Sequence, residues 1–141
     1  MATSTVPVAK AALLTALQAR AGLNGVKVIR GKVEDVPDTE AIAIGPVIGA
    51  QRPMTLGGGR RRETYSLSVT IEVRQDKDQA SATDRTYALL AEVENALRAD
   101  KKLGGAVDVA QLESWSDVEE TSDTGHSCAI TALIACDAQL P

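Results

Sequence analysis

Glu63 to Arg74 carries the clearest pattern in the chain. Tyr65, Leu67, Val69, Ile71 and Val73 alternate with Ser66, Ser68, Thr70, Glu72 and Arg74. A period of two predicts a strand with one buried and one polar face, and a one-residue slip would expose every apolar side chain, so its register is well specified. A period near four appears twice. Ala9, Leu13, Leu17 and Ala21, with Leu14, form an apolar stripe over Val6 to Ala21. This predicts a first helix with Thr5 as its cap and Pro7 in its first turn. Thr86, Leu90, Val93 and Leu97, flanked by Leu89 and Ala96 with Tyr87 at the edge, predict a second helix over Ala80 to Ala99.

Shorter apolar runs fill the remaining positions. Val26 to Arg30 and Ala41 to Ile44 read as strands, the second stopped by Gly45-Pro46. Pro46 to Arg62 reads as a long loop, rich in glycine and arginine. Val107 and Val109, extending to Leu112, suggest a short strand, Asp117 to Gly125 an acidic turn, and His126 to Asp137 a last strand with Ile130, Ala132 and Ile134 on one face. The resulting order is helix, two strands, long loop, long strand, helix, two strands. It predicts one α+β domain over residues 1–141, an antiparallel or mixed β-sheet with two α-helices packed on one face.

Composition adds constraints. The 141 residues suffice for one domain, and apolar residues at 44% with charged residues at 24% exclude wholesale disorder. Aromatics are 2%, with no Phe, so the core must be aliphatic and base-stacking platforms are nearly excluded. No run approaches the roughly 18–20 apolar residues of a membrane span, and the N-terminus lacks a secretory pattern. The expected site of synthesis is the cytoplasm. Cys128 and Cys136 lie in one predicted strand, about 26 Å apart along it, beyond disulfide reach, and read as reduced, buried thiols.

The net charge of -4 sums over separated patches. Arg60, Arg61 and Arg62 follow Gly57-Gly58-Gly59, while Glu113, Asp117, Glu119, Glu120 and Asp123 crowd around Trp115. The glycines run into a strand and no Gly-Lys-Ser/Thr follows, so this is not a phosphate-binding loop. It reads as an arm that contacts a neighbouring subunit or passing nucleic acid, or as a solvated loop. The carboxylates read as a solvated turn without a recognisable acid–base pair. Trp115 reads either as a core plug at a strand end or as an interface anchor. His126 is the only histidine, so neither a nucleophile–base pair nor a metal site is expected, and no cofactor is implied. Complementary patches on different sides of one chain suit a head-to-tail ring.

The order of elements, with specific fragments, resembles the tail terminator proteins of long-tailed bacteriophages, also called tail completion or tail-to-head joining proteins. The fragments are Leu13-Leu14-x-x-Leu17, the Val26-to-Ile29 strand, Ala41-Ile-Ala-Ile-Gly45, and a long loop entering Glu63-Thr-Tyr65-Ser-Leu67-Ser-Val69. They continue with Tyr87-Ala-Leu-Leu90-Ala-Glu92-Val-Glu-Asn-Ala-Leu97-Arg98, Leu103-Gly104-Gly105 and a final aliphatic strand. The resemblance implies a structural, non-enzymatic virion protein at the tail–head junction. It implies a homo-oligomeric ring, usually a hexamer, that ends tube polymerisation on the tail tube protein and offers a face to the head connector or a head-completion protein. DNA would pass transiently through the ring, and no membrane is involved. Arg52 and Arg60 to Arg62 would then lie at a subunit contact or near the lumen, with Glu113, Trp115, Asp117, Glu119 and Glu120 as the complementary interface. The alternatives are another neck or head-completion protein, or a small bacterial ligand-binding domain.

Overall fold

The computed structural model describes residues 3–31, 40–53, 60–123 and 125–140. A five-stranded sheet runs in the order β1-β2-β3-β5-β4, formed by Lys27–Arg30 (β1), Glu40–Pro53 (β2), Arg61–Gln75 (β3), Val109–Ser122 (β4) and Gly125–Leu140 (β5). β1 pairs with β2 in parallel and every other pairing is antiparallel, so the sheet is mixed. Two helices, Val6–Gln18 (α1) and Gln79–Ala99 (α2), cover one face, and the fold is α+β as expected.

β3 and β5 form the centre. Tyr65, Leu67, Val69 and Ile71 lie opposite Cys136, Ile134, Ala132 and Ile130, all buried. Ile42 and Ile44 of β2 continue the same face beside Ile71 and Val69. Leu13 and Leu17 of α1 and Leu89, Val93 and Leu97 of α2 close over it. Burying each of these large side chains stabilises the fold by roughly 1.5–3 kcal/mol. Thr86 sits inside this face because its hydroxyl donates to the Ala82 carbonyl one turn back, at 2.7 Å. Both cysteines are buried free thiols, and burial pushes Cys136 up to about 11.

The helix boundaries differ from the periodic reading in informative ways. α1 ends at Gln18, and the chain continues into a 3-10 turn over Ala21–Leu23. Thr5 does not cap α1 through its side chain; its hydroxyl donates instead to Glu63 at 2.7 Å, and Ser4 Oγ accepts from the Val6 N–H at 3.1 Å. α2 begins one residue early because Asp78 caps it, accepting from the Ser81 N–H at 2.7 Å. That bond, the largest influence on the group, holds the Asp78 carboxyl below its usual range.

Two larger corrections concern loops. Gly45-Pro46 does not stop the second strand. It forms a bulge, where the register with β3 shifts between Ile44 and Val47, and the strand resumes to Pro53. Proline cannot donate to a ladder, so an irregular position is where it fits. Ser68 secures the bulge by donating to the Pro46 carbonyl at 2.8 Å. The expected loop over 46–62 is therefore strand at 46–53 and 61–62, while Gly57 to Gly59 lie outside the described residues. The acidic stretch is likewise not a turn. Asp117 to Ser122 belong to β4, which pairs with β5 from Val109 to Ser122, and Gly125 at φ 136° opens the return strand.

Candidate subunit interface

The bulge and the length of β4 give the sheet two edges that carry opposite charge. β1 covers β2 only along Ala41 to Ile44, so from Val47 to Pro53 the outer edge of β2 has no partner strand among the described residues. β4 is the opposite edge strand.

The basic groups gather at one end of the first edge. Arg52 of β2 stands directly opposite Arg62 of β3, a like-charge pair that costs stability unless neutralised. Neutralisation comes from the open face, the one not covered by helices. Asp137 Oδ1 lies 2.7 Å from Arg62 Nε, and Asp108 Oδ2 lies 3.2 Å from Nη1. The hydrogen bond with Asp137 is the main cause that raises the Arg62 guanidinium above its ordinary value. Arg61 Nη1 donates to Gln51 Oε1 at 3.4 Å, and Arg52 and Arg60 are exposed. Arg62 is thus tied down within its own chain, Arg61 is half-buried beside Gln51, and Arg52 and Arg60 are exposed at this end.

The acidic edge alternates across β4. Trp115, Asp117 and Glu119 lie opposite Ala132, Ile130 and Cys128 and so share the helix side, whereas Val118 and Glu120 lie on the open face. The bulge between Leu112 and Ser114 places Glu113 at the irregular position. Two carboxylates are held by α2: Asp117 accepts from the Tyr87 hydroxyl at 2.5 Å and Glu119 from the Thr83 hydroxyl at 2.9 Å. The bond to Asp117 is the first cause that moves the Tyr87 phenol above its ordinary value. Trp115 is 51% exposed, so it does not plug the core. Val118, 60% exposed, stands on the other side of the strand. His126 meets Thr121, with Nδ1 3.0 Å from its hydroxyl, at the end of the hairpin.

The two predicted patches therefore occupy opposite edges of one sheet, and the structure does not bring them together within the chain. Sequence reading missed two residues beside them. Ile48, at 83% exposure, is the most exposed large apolar side chain in the described residues, on the open face of β2. Only its place in a supposed loop concealed it. Glu63 is buried, and the signal was present: it occupies the buried phase of the Tyr65-to-Val73 alternation. Among the described residues, no group of three or more His, Cys, Asp or Glu side chains could hold a metal ion. No described helix is long and apolar enough to cross a membrane.

No family model matches this sequence, and a search of the curated proteins finds no match. Solved structures do match, among them a chain of the "Virion of native gene transfer agent (GTA) particle". The TM-score is 0.60, covering 99% of this chain and 100% of that one, at 10% sequence identity. The likeness is one of fold. It spans nearly the full length of both chains.

Proposed function

We propose that this chain is a phage-like structural virion protein, a tail terminator that closes into a ring on the end of a completed tail tube. The observation that carries this reading is the end-to-end likeness of fold to a chain of a gene transfer agent virion, at a TM-score of 0.60. Opposite charge on opposite edges supports ring formation. An interface between different patches is heterologous, and such contacts form rings when their rotation closes. On this reading Arg52, Arg60 and Arg61 meet Glu113, Trp115, Asp117, Glu119 and Glu120 of the next subunit, while Arg62 braces the strand that carries them. The protein acts by capping and has no substrate. One face of the ring sits on the tube protein, the other receives the head connector, and DNA passes through the lumen.

Electron microscopy of the purified protein with tail tubes tests this. Six-fold rings at tube ends are expected. Rings that bind a head connector but ignore tube ends would replace the terminator with another neck protein, and a chain that stays monomeric beside tubes would overturn the reading.

A further inference from the structure

We propose that neighbouring subunits join edge to edge through their backbones, the Val47–Pro53 edge of β2 in one copy adding to the Glu113–Thr121 edge of β4 in the next. This rests on the ring reading above and names how its contact is made.

Three observations carry it. First, the two edges are long and open. Val47 to Pro53 of β2 extend beyond β1, and β4 from Glu113 to Thr121 has no outer partner strand among the described residues. Unpaired strand edges template pairing with another chain unless they are blocked. Second, the edges differ in charge. β4 carries Glu113, Asp117, Glu119 and Glu120, so two β4 edges would repel each other. The β2 edge ends in Arg52, with Arg60 and Arg61 beside it, so it matches β4 and not itself. The occupant selected is thus a second copy in head-to-tail orientation. Third, each edge leaves a large aliphatic side chain exposed on the same open face, Ile48 at 83% and Val118 at 60%. A continuous sheet that kept all helices on one side would place these two on one surface.

Cysteine cross-linking of the full chain tests the pairing across a range of registers. Ile48→Cys is combined in turn with Ser114→Cys, Ser116→Cys, Val118→Cys and Glu120→Cys, all on the open face of β4, and the protein is oxidised. The native Cys128 and Cys136 are buried. The expected result is a ladder of covalent multimers for one combination, falling away at its neighbours and lost when either engineered cysteine is absent. Mixing the two single variants should give only heterodimers. Homodimers from a single variant would mean a two-fold contact and overturn the proposal. Rings seen by microscopy with no cross-link at any of the four positions would overturn edge pairing and leave the ring reading standing. A protein monomeric by light scattering and on tubes would overturn both.

Discussion

The backbone N–H and the hydroxyl of Thr5 both end on one oxygen of Glu63, at 2.9 and 2.7 Å. The same hydroxyl lies 3.0 Å from the Tyr65 phenol, and Gln51 Nε2 donates to the Thr3 carbonyl. Together these contacts fasten the start of α1 to the β2–β3 hairpin, close to the proposed basic edge. Burial alone would raise the Glu63 carboxyl, but the combined hydrogen bonds from Ser4, Thr5 and Gln51 outweigh it and hold the group below its ordinary range.

Glu63→Ala should lower unfolding stability by about 2 kcal/mol, since it strands donors that served a charged acceptor. Urea titration measures this. The depressed carboxyl also sets a pH dependence. Its contribution is fully present above the unfolded value of about 4.3 and is lost as pH falls through the lower folded value. Glu63→Gln should therefore flatten the acid limb of the stability profile. An unchanged limb would place the acid sensitivity elsewhere.

Neither tyrosine should ionise at its ordinary pH. Burial, the dominant cause, pushes Tyr65 up to about 12, and Asp117 raises Tyr87. Absorbance titration of the folded protein should show both phenols above the usual value of about 10. Asp117→Ala should bring one of them back while leaving Tyr65 in place. If both stay raised in that variant, the hydrogen bond across α2 and β4 is not what holds Tyr87.

If the proposed edge contact forms, replacing Arg52, Arg60 and Arg61 together by Ala should lower the assembled mass in light scattering and reduce its sensitivity to salt, because the removed charges would face a neighbour and exposed charge attraction is screened. The three leave the Arg62 ion pairs with Asp137 and Asp108 intact. An unchanged oligomer would remove the arginines from the interface.

Much of the fold was legible from periodicity. The Tyr65-to-Val73 alternation, the Ala9-Leu13-Leu17 stripe of α1, the buried face of α2 and the Ile130-Ala132-Ile134 face stand where the pattern put them, while Ala21 lies exposed beyond the end of α1. The misreadings share one cause. Gly45-Pro46 and the crowd of carboxylates after Glu113 are local signals for a break. Locally, nothing shows that β3 waits to pair beyond the bulge, or that β5 accepts β4 along its whole length. Acidic residues are at home on an edge strand, where they face water and discourage self-pairing.

Sequence alone determined the class of fold, because burying an apolar face imposes a period on each element regardless of its distant partners. It also supplied the separated charges and the aliphatic core. Tertiary structure decided what those charges border. Strand order β1-β2-β3-β5-β4 sends the arginine end and the acidic strand to opposite edges, ties Arg62 to Asp137 and leaves Ile48 and Trp115 exposed. Such neighbours lie tens of residues apart in the chain, and only long-range strand pairing brings them together or holds them apart.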